Sequence, residues 1–270
     1  MGYKNPMKRQ LSTPDDSCDP PPKRRKIHNS APAKYHIIMK ALFRNEPRDM
    51  SCYANAVLQA IFTIPVVLNT AISSPFIQLA QLAKRYSARQ KTVSCVAVKR
   101  LGKQHCKFWR YRPRPLLDAR PLTLALGFDP HKEHDAAEFM RRLLQYSSSL
   151  KNLIRVEVMC ARVSKIMGAM LVAKLLWHND FEFLFEVKNV TRPFVIDGIR
   201  KRVHSVVVHI QHPDRGHFVT VVDISGRGDQ WITLDDDKAA GPTNQPNLLN
   251  GMCSTTARQQ PYLLFLIPES

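Results

Sequence analysis

Val57, Leu58, Ile61 and Phe62 recur at helical spacing after Cys52, with Ala54 and Ala56 leaving room for close packing, so the pattern predicts a helix there. Ser51 stands at its N-cap position, with Asn55 four residues on. Pro65 and Pro75 punctuate further helical patterns, one of them over residues 75–87, and residues 115–128 read as a helix or helical turn ending at Gly127. Ala136, Phe139, Met140, Leu143 and Leu144 then form a single apolar stripe behind an acidic start that suits a helix dipole. The middle of the chain predicts a helix over 166–177 and a strand over 181–190, where Phe181, Phe183, Phe185 and Val187 alternate onto one face. From Val203 the period changes to two. Strands are expected over 206–210, 216–222, 230–234 and 261–267, with turns at 211–215 and at Gly226 and Gly228. Helices followed by paired strands make this an α+β chain.

With 270 residues, 44% of them hydrophobic, the chain can bury a substantial core. Its net charge of +18, from 40 Lys and Arg against 22 Asp and Glu, favours acidic partners or nucleic acid without bearing on the fold. Residues 1–40 hold six of the 19 prolines and few large apolar side chains before Tyr35. Such a segment cannot offset its chain entropy by burial, so it is expected to be a disordered basic tail ahead of a folded domain over 41–270. A short extended piece is expected over 35–39. Lys23, Arg24, Arg25 and Lys26 form a compact basic cluster, with Lys8 and Arg9 upstream, which resembles a nuclear-import signal and implies an importin partner. The expected address is therefore the nucleus, the cytoplasm or both. Residues 88–114 are again basic, with Phe108, Trp109 and Tyr111 interleaved; this suits weak, non-specific nucleic-acid binding and equally a solvated surface. Six widely spaced cysteines without a CxxC pair or a secretory signal suggest free thiols in a reducing compartment. The longest apolar stretches are interrupted by Gln59, Pro65 or Lys174, so no membrane span is expected.

Cys52 stands out chemically. A thiol in the first turn of a helix meets unpaired N–H groups and the positive end of the dipole, which favour thiolate. The run Ser51-Cys52-Tyr53-Ala54-Asn55-Ala56-Val57-Leu58-Gln59-Ala60-Ile61-Phe62 resembles the cysteine box of the ubiquitin-specific proteases, Asn-x-Gly-Asn-Thr-Cys-Tyr-Met-Asn-Ser/Ala-x-Leu-Gln-x-Leu-Phe. Further boxes follow in family order. Glu133-His134-Asp135-Ala136-Ala137-Glu138-Phe139-Met140 is similar to Gln-Gln-Asp-Ala-His-Glu-Phe-Leu, with Glu133 and His134 in place of two glutamines. Gly216-His217-Phe218 resembles Gly-His-Tyr, Trp231-Ile232-Thr233-Leu234-Asp235-Asp236 resembles Trp-x-x-Phe-Asp-Asp, and Pro261-Tyr262-Leu263-Leu264-Phe265 resembles the closing Ala-Tyr-Leu-Leu-Phe.

The resemblance implies a papain-like cysteine protease fold with a helical thumb and an antiparallel β palm. It implies a deubiquitinase that hydrolyses the peptide or isopeptide bond after the C-terminal glycine of ubiquitin, with ubiquitin or ubiquitinated proteins as partners and no cofactor. Cys52 would be the nucleophile, His217 the general base and acid, and Asp235 the residue that orients the imidazole. Asp236 would assist, with Asp237 the weakest of the three aspartates. His204, His209 and His212 are rivals of His217 by position alone. Asp135, Glu138, Phe139 and Gly216 would support the channel for the substrate's Gly-Gly tail. About 60 residues separate the helix box from the next motif, without a CxxC pair, which implies a reduced fingers region and no structural zinc. The His131/His134 and His209/His212 pairs lack the neighbours that would complete a metal site.

One departure concerns the oxyanion donor. The family has Asn five residues before the cysteine; here that position is Pro47, Asn45 lies two residues earlier, and Asp49 and Met50 replace Gly-Asn. Either a reshaped loop brings Asn45 in, or the chain is a catalytically weak or dead ubiquitin-binding relative. A reading of another class, a nuclear nucleic-acid-associated basic protein, also accommodates the charge.

Overall fold

Helices gather in the first half of the chain and the long strands in the second, where the hydrophobic period changes. The computed structural model describes residues 34–39, 41–45, 50–89, 91–96, 98–100, 103–105, 116–159, 170–175, 193–196, 198–211, 215–243 and 259–269. All of them fall within the unit Pro32–Ser270. In chain order the elements are β1 (Lys34–Met39), α1 (Cys52–Phe62), α2 (Pro65–Ile72), α3 (Ile77–Ala88), β2 (Lys91–Val96), β3 (Val98–Arg100), β4 (Lys103–His105), α4 (Arg120–Ala125), α5 (Ala136–Tyr146) and α6 (Ser148–Leu153). There follow β5 (Ile154–Met159), β6 (Met170–Leu175), β7 (Phe194–Ile196), β8 (Ile199–Gln211), β9 (Gly216–Asp223), β10 (Trp231–Asp235), β11 (Lys238–Thr243) and β12 (Gln259–Pro268). The class is α+β.

The main sheet runs β11-β10-β9-β8-β12-β6-β5, with β7 paired to β8; its pairings are antiparallel except β5 with β6. The 13-residue β8 is its spine, pairing with β9 along one edge and β12 along the other. Pro261 lies inside β12, where a missing N–H would interrupt a central ladder. Two features accommodate it: β6 pairs only with Leu263–Leu266, and the β8 register shifts between Pro261 and Leu263. β1 pairs with β2, and β3 with β4, in separate two-stranded sheets.

α1 lies on the sheet with every residue from Tyr53 to Phe62 buried. A helix apolar on nearly all sides belongs in the middle of a core. Phe62, Tyr86 and Phe43 stack behind it, and Phe139 of α5 meets Tyr53 at 5.7 Å between ring centroids. Thr220 of β9 donates its hydroxyl to the Ala56 carbonyl at 2.6 Å, pinning the helix to the sheet. Among the described residues no single helix is long and apolar enough to cross a membrane.

Several expectations change. The helix expected over 166–177 is instead β6 at Met170–Leu175, where Met170 and Val172 are buried and β12 and β5 flank the strand. A short, continuously apolar run carries no periodicity to separate strand from helix. The basic stretch 88–114 holds three short strands, β2 to β4, while Phe108, Trp109 and Tyr111 lie outside the described residues. So do the strand expected over 181–190, most of the expected fingers segment, and Lys23, Arg24, Arg25 and Lys26. The helix of residues 115–128 contracts to α4.

The β10–β11 hairpin depends on Gly241, whose φ is +117° and whose added Cβ would stand 2.7 Å from the Trp231 carbonyl oxygen. Gly241→Ala is expected to destabilise the protein by about 1–3 kcal/mol, the cost of a non-glycine residue in such a conformation. Thermal or urea unfolding checks this, and an unchanged midpoint would refute it.

Candidate active site

Three chain segments meet at the N-terminus of α1. β9 begins at Gly216-His217, β10 ends at Asp235, and the lead-in residues 41–45 run alongside, held by a Phe43 N–H bond to the Asp236 carbonyl at 3.1 Å. Because β9 and β10 are antiparallel neighbours, the start of one lies beside the end of the other. His217 Nε2 accordingly meets Asp235 Oδ1 at 2.8 Å. That leaves Nδ1 for Cys52, whose sulfur helps to raise the ring's pKa and which lines the same cleft. The structure therefore brings Cys52, His217 and Asp235 together.

The electrostatics follow from these contacts. Burial alone would lower the His217 pKa, but the Asp235 carboxylate and the Cys52 sulfur outweigh it, with Asp236 adding a smaller contribution; the ring is pushed up to about 10. Burial works to raise Asp235, and the His217 bond, with Lys238 nearby, more than reverses it and leaves Asp235 below the usual range. Asp236 is displaced the other way: burial pushes its carboxyl up against the opposing bonds from Asn55 and Asn45.

Asp236 is the structural node of the site. It has a positive φ of 46° and is buried, and its two oxygens accept from Asn45 Nδ2 at 2.6 Å and Asn55 Nδ2 at 2.8 Å. Its carbonyl also accepts from Gln59 Nε2 at 3.2 Å. Asn55 and Gln59, one turn apart on an otherwise apolar helix, are thereby accounted for. Ser51 does not cap α1 with its side chain; its hydroxyl oxygen lies 3.4 Å from Asn55 Nδ2, while its carbonyl takes the Ala54 and Asn55 N–H groups. Asn45 is brought to the cleft despite its shifted place in the sequence, whereas Pro47 and Asp49 lie outside the described residues. Met50 is fixed by its N–H bond to the Pro130 carbonyl at 2.9 Å.

His217, Asp235 and Asp236 place ligand-type atoms within 4.8 Å of one another, the spacing of a metal site. These atoms already serve one another and the framework: both Asp236 oxygens receive amide N–H groups, and Asp235 Oδ1 and His217 Nε2 bond each other. The donor set suits proton transfer better than metal ligation.

A cleft of about 730 Å³ opens over the cysteine between the start of α5 and the sheet. On the sheet side, His209 stacks on Phe218 at 4.7 Å and Phe218 on Tyr262 at 5.5 Å. His209 Nε2 would stand 2.5 Å from a Cβ at residue 216, so the imidazole occupies the space that glycine leaves there. Burial lowers the His209 pKa against the pull of Glu133 and Asp135. On the helical side Asp135 caps α5, accepting from the Glu138 N–H at 2.9 Å, and also accepts the Tyr262 hydroxyl. Burial and that contact hold the Tyr262 phenol above its ordinary range.

The other expected residues serve as supports or lie elsewhere. Glu138 pairs with Arg141 and Arg142, and Arg142 donates to the Leu126 and Gly127 carbonyls, bracing the loop before α5. Phe139 is fully buried behind Tyr53. His204 is buried against Thr63 at the far end of α1, with 3.0 Å between Nε2 and the hydroxyl. His212 lies outside the described residues, and Asp237 lines the cleft beyond the pair. Sequence reasoning missed His134, Tyr262, Asn55 and Gln59 as site residues. For the last two a signal existed, since they alone are polar on a buried helix. No protein-family model matches this chain, and no curated protein sequence matches it.

The raised His217 pKa has a definite sign. Since folding lifts it from 6.5 to about 10, its contribution to stability is complete below pH 6.5 and is lost as pH rises through 10. The gap in Tm between the wild type and His217→Asn is expected to narrow across that window. In Asp235→Asn, the His217 titration followed by NMR is expected to fall by about one to three pH units, the effect of removing an adjacent carboxylate. An unmoved titration would refute the pairing.

Proposed function

We propose that the protein is a cysteine-dependent deubiquitinase of papain-like architecture, with α1 to α6 as the helical thumb and the main sheet as the β palm, hydrolysing the bond after the C-terminal glycine of ubiquitin. The observation that carries this reading is Cys52 at the head of a buried helix, beside a histidine held by a carboxylate 2.8 Å away. It adds to the resemblance of five ordered sequence boxes to the ubiquitin-specific proteases. The cleft supports it too. Five carboxylates line it against three cations, Arg215, Lys238 and the charged His217, reversing the sign of a chain whose net charge is +18. A basic peptide tail such as that of ubiquitin fits this polarity.

In the proposed reaction Cys52 Sγ attacks the glycine carbonyl while the His217 ring holds the thiol proton. The ring then protonates the lysine nitrogen as its C–N bond breaks, so that the amine departs and the glycine acyl group remains on Cys52 as a thioester. Water, deprotonated by the same ring, attacks the thioester and restores the thiol. Asp235 keeps the imidazole oriented and supports its charge. The oxyanion is met by the Cys52 N–H, in the first turn where helix amides lack intrahelical partners. Asn45 is the second donor: its amide nitrogen carries two hydrogens, and Asp236 takes one.

The nucleophile is tested with ubiquitin bearing a thiol-reactive C-terminal warhead. Cys52 is expected to be the labelled cysteine, with labelling abolished and Tm nearly unchanged in Cys52→Ala. Labelling that persists in that variant would sink the assignment.

Asn45 is tested by kinetics. Loss of one oxyanion donor typically costs about a hundred- to thousandfold in kcat. Asn45→Ala is therefore expected to lose that factor with KM little changed, because the bond strengthens in the transition state. A fast wild type indifferent to the substitution would remove Asn45 from the mechanism.

A further inference from the structure

We propose that His134 binds the substrate backbone, its Nδ1 accepting an N–H from the extended peptide tail in the cleft; this rests on the hydrolase reading above. His134 Nε2 lies 2.9 Å from the Asp129 carbonyl oxygen. A carbonyl only accepts, so Nε2 carries a proton, and in the neutral tautomer that this bond selects the lone pair is on Nδ1. Among the described residues Nδ1 has no hydrogen-bond partner, and it is not a buried atom. The ring is half-buried and lines the same cleft as Cys52.

Its orientation is locked. The imidazole stands edge-on to Tyr53 at 5.3 Å and 67°, and to Phe128 at 5.0 Å and 74°. Tyr53 follows the nucleophile directly, and the Met50 N–H bond to Pro130 ties the loop carrying His134 to the lead-in of Cys52. His134 and Cys52 are thus held in register by two independent contacts. The neighbouring carboxylate is already engaged, one Asp135 oxygen accepting the Glu138 N–H and the other the Tyr262 hydroxyl, whereas Nδ1 of His134 has no such contact among the described residues. An extended peptide entering a cleft must have its desolvated N–H groups satisfied, and a rigid neutral acceptor does so with little ordering cost. His134 is accordingly a residue that fixes the register of the tail, while Cys52 and His217 carry the chemistry.

The experiment measures ubiquitin binding to the full chain carrying Cys52→Ala, with residue 134 as His, Gln or Phe. Phe retains the ring contacts but not the acceptor, and is expected to weaken Kd by about three- to tenfold, the loss of one hydrogen bond. Gln supplies a carbonyl acceptor and is expected to restore most of the affinity. In the Cys52 background, Phe should raise KM by the same factor and leave kcat unchanged. A second measurement leaves residue 134 as it is: semisynthetic ubiquitin N-methylated in turn at each tail amide should show one position that costs the His protein affinity and costs the Phe variant none. Equal Kd for His and Phe, or no such position, overturns the role of His134 alone. No ubiquitin binding by the His134 protein overturns the deubiquitinase reading, and this inference with it.

Discussion

The buried carboxylate of Asp236 is the constraint on which the arrangement turns. A charge taken out of water is costly unless hydrogen bonds replace its hydration. Here the replacement comes from Asn45 in the lead-in and Asn55 on α1, while the Asp236 backbone carbonyl takes the Phe43 N–H and the Gln59 amide. One residue in a turn thereby joins the lead-in segment 41–45, the cysteine helix and the β10–β11 hairpin. The left-handed φ of 46° is the local cost, tolerated because aspartate is among the side chains that adopt it most readily. Asp235, next in the chain, points the other way to His217. The two adjacent carboxylates thus divide the work, one binding the framework and one binding the imidazole.

Much of this was legible from periodicity. α1, α3, α5 and the strands β8, β9, β10 and β12 fall close to where the spacing of apolar residues puts them, because each has one long run of a single period. The misread segment, β6, is short and flanked on both sides, and such a run records burial without recording shape. β1 coincides with the short extended piece expected over 35–39, whereas β2, β5 and the β3–β4 pair owe their form to partners distant in the chain, or to weak local patterns, and left no comparable mark.

The candidate site was legible by another route. Cys52 stood out as a thiol in the first turn of a helix, whereas His217 and Asp235 were singled out by the resemblance of their segments to the family's boxes. The second rank of residues was hidden. His134 and Tyr262 have no periodic signature of function; one looks like a helix lead-in and the other like an inward strand position. Asn45 was suspected only from a gap two residues away, and Gly216, expected as a support of the channel, lines the cleft and also leaves the space that His209 fills.

The place of β12 in the sheet has a consequence for biosynthesis. It is late in the chain, yet it lies between β8 and β6 and is the strand that joins β9, β10 and β11 to β5 and β6. During translation the two halves of the sheet have no common partner until residues 259–268 have cleared the ribosome. Tyr262, which reaches Asp135 across the cleft, arrives with the same segment. A nascent chain would therefore carry its cysteine long before it carried a formed cleft around it.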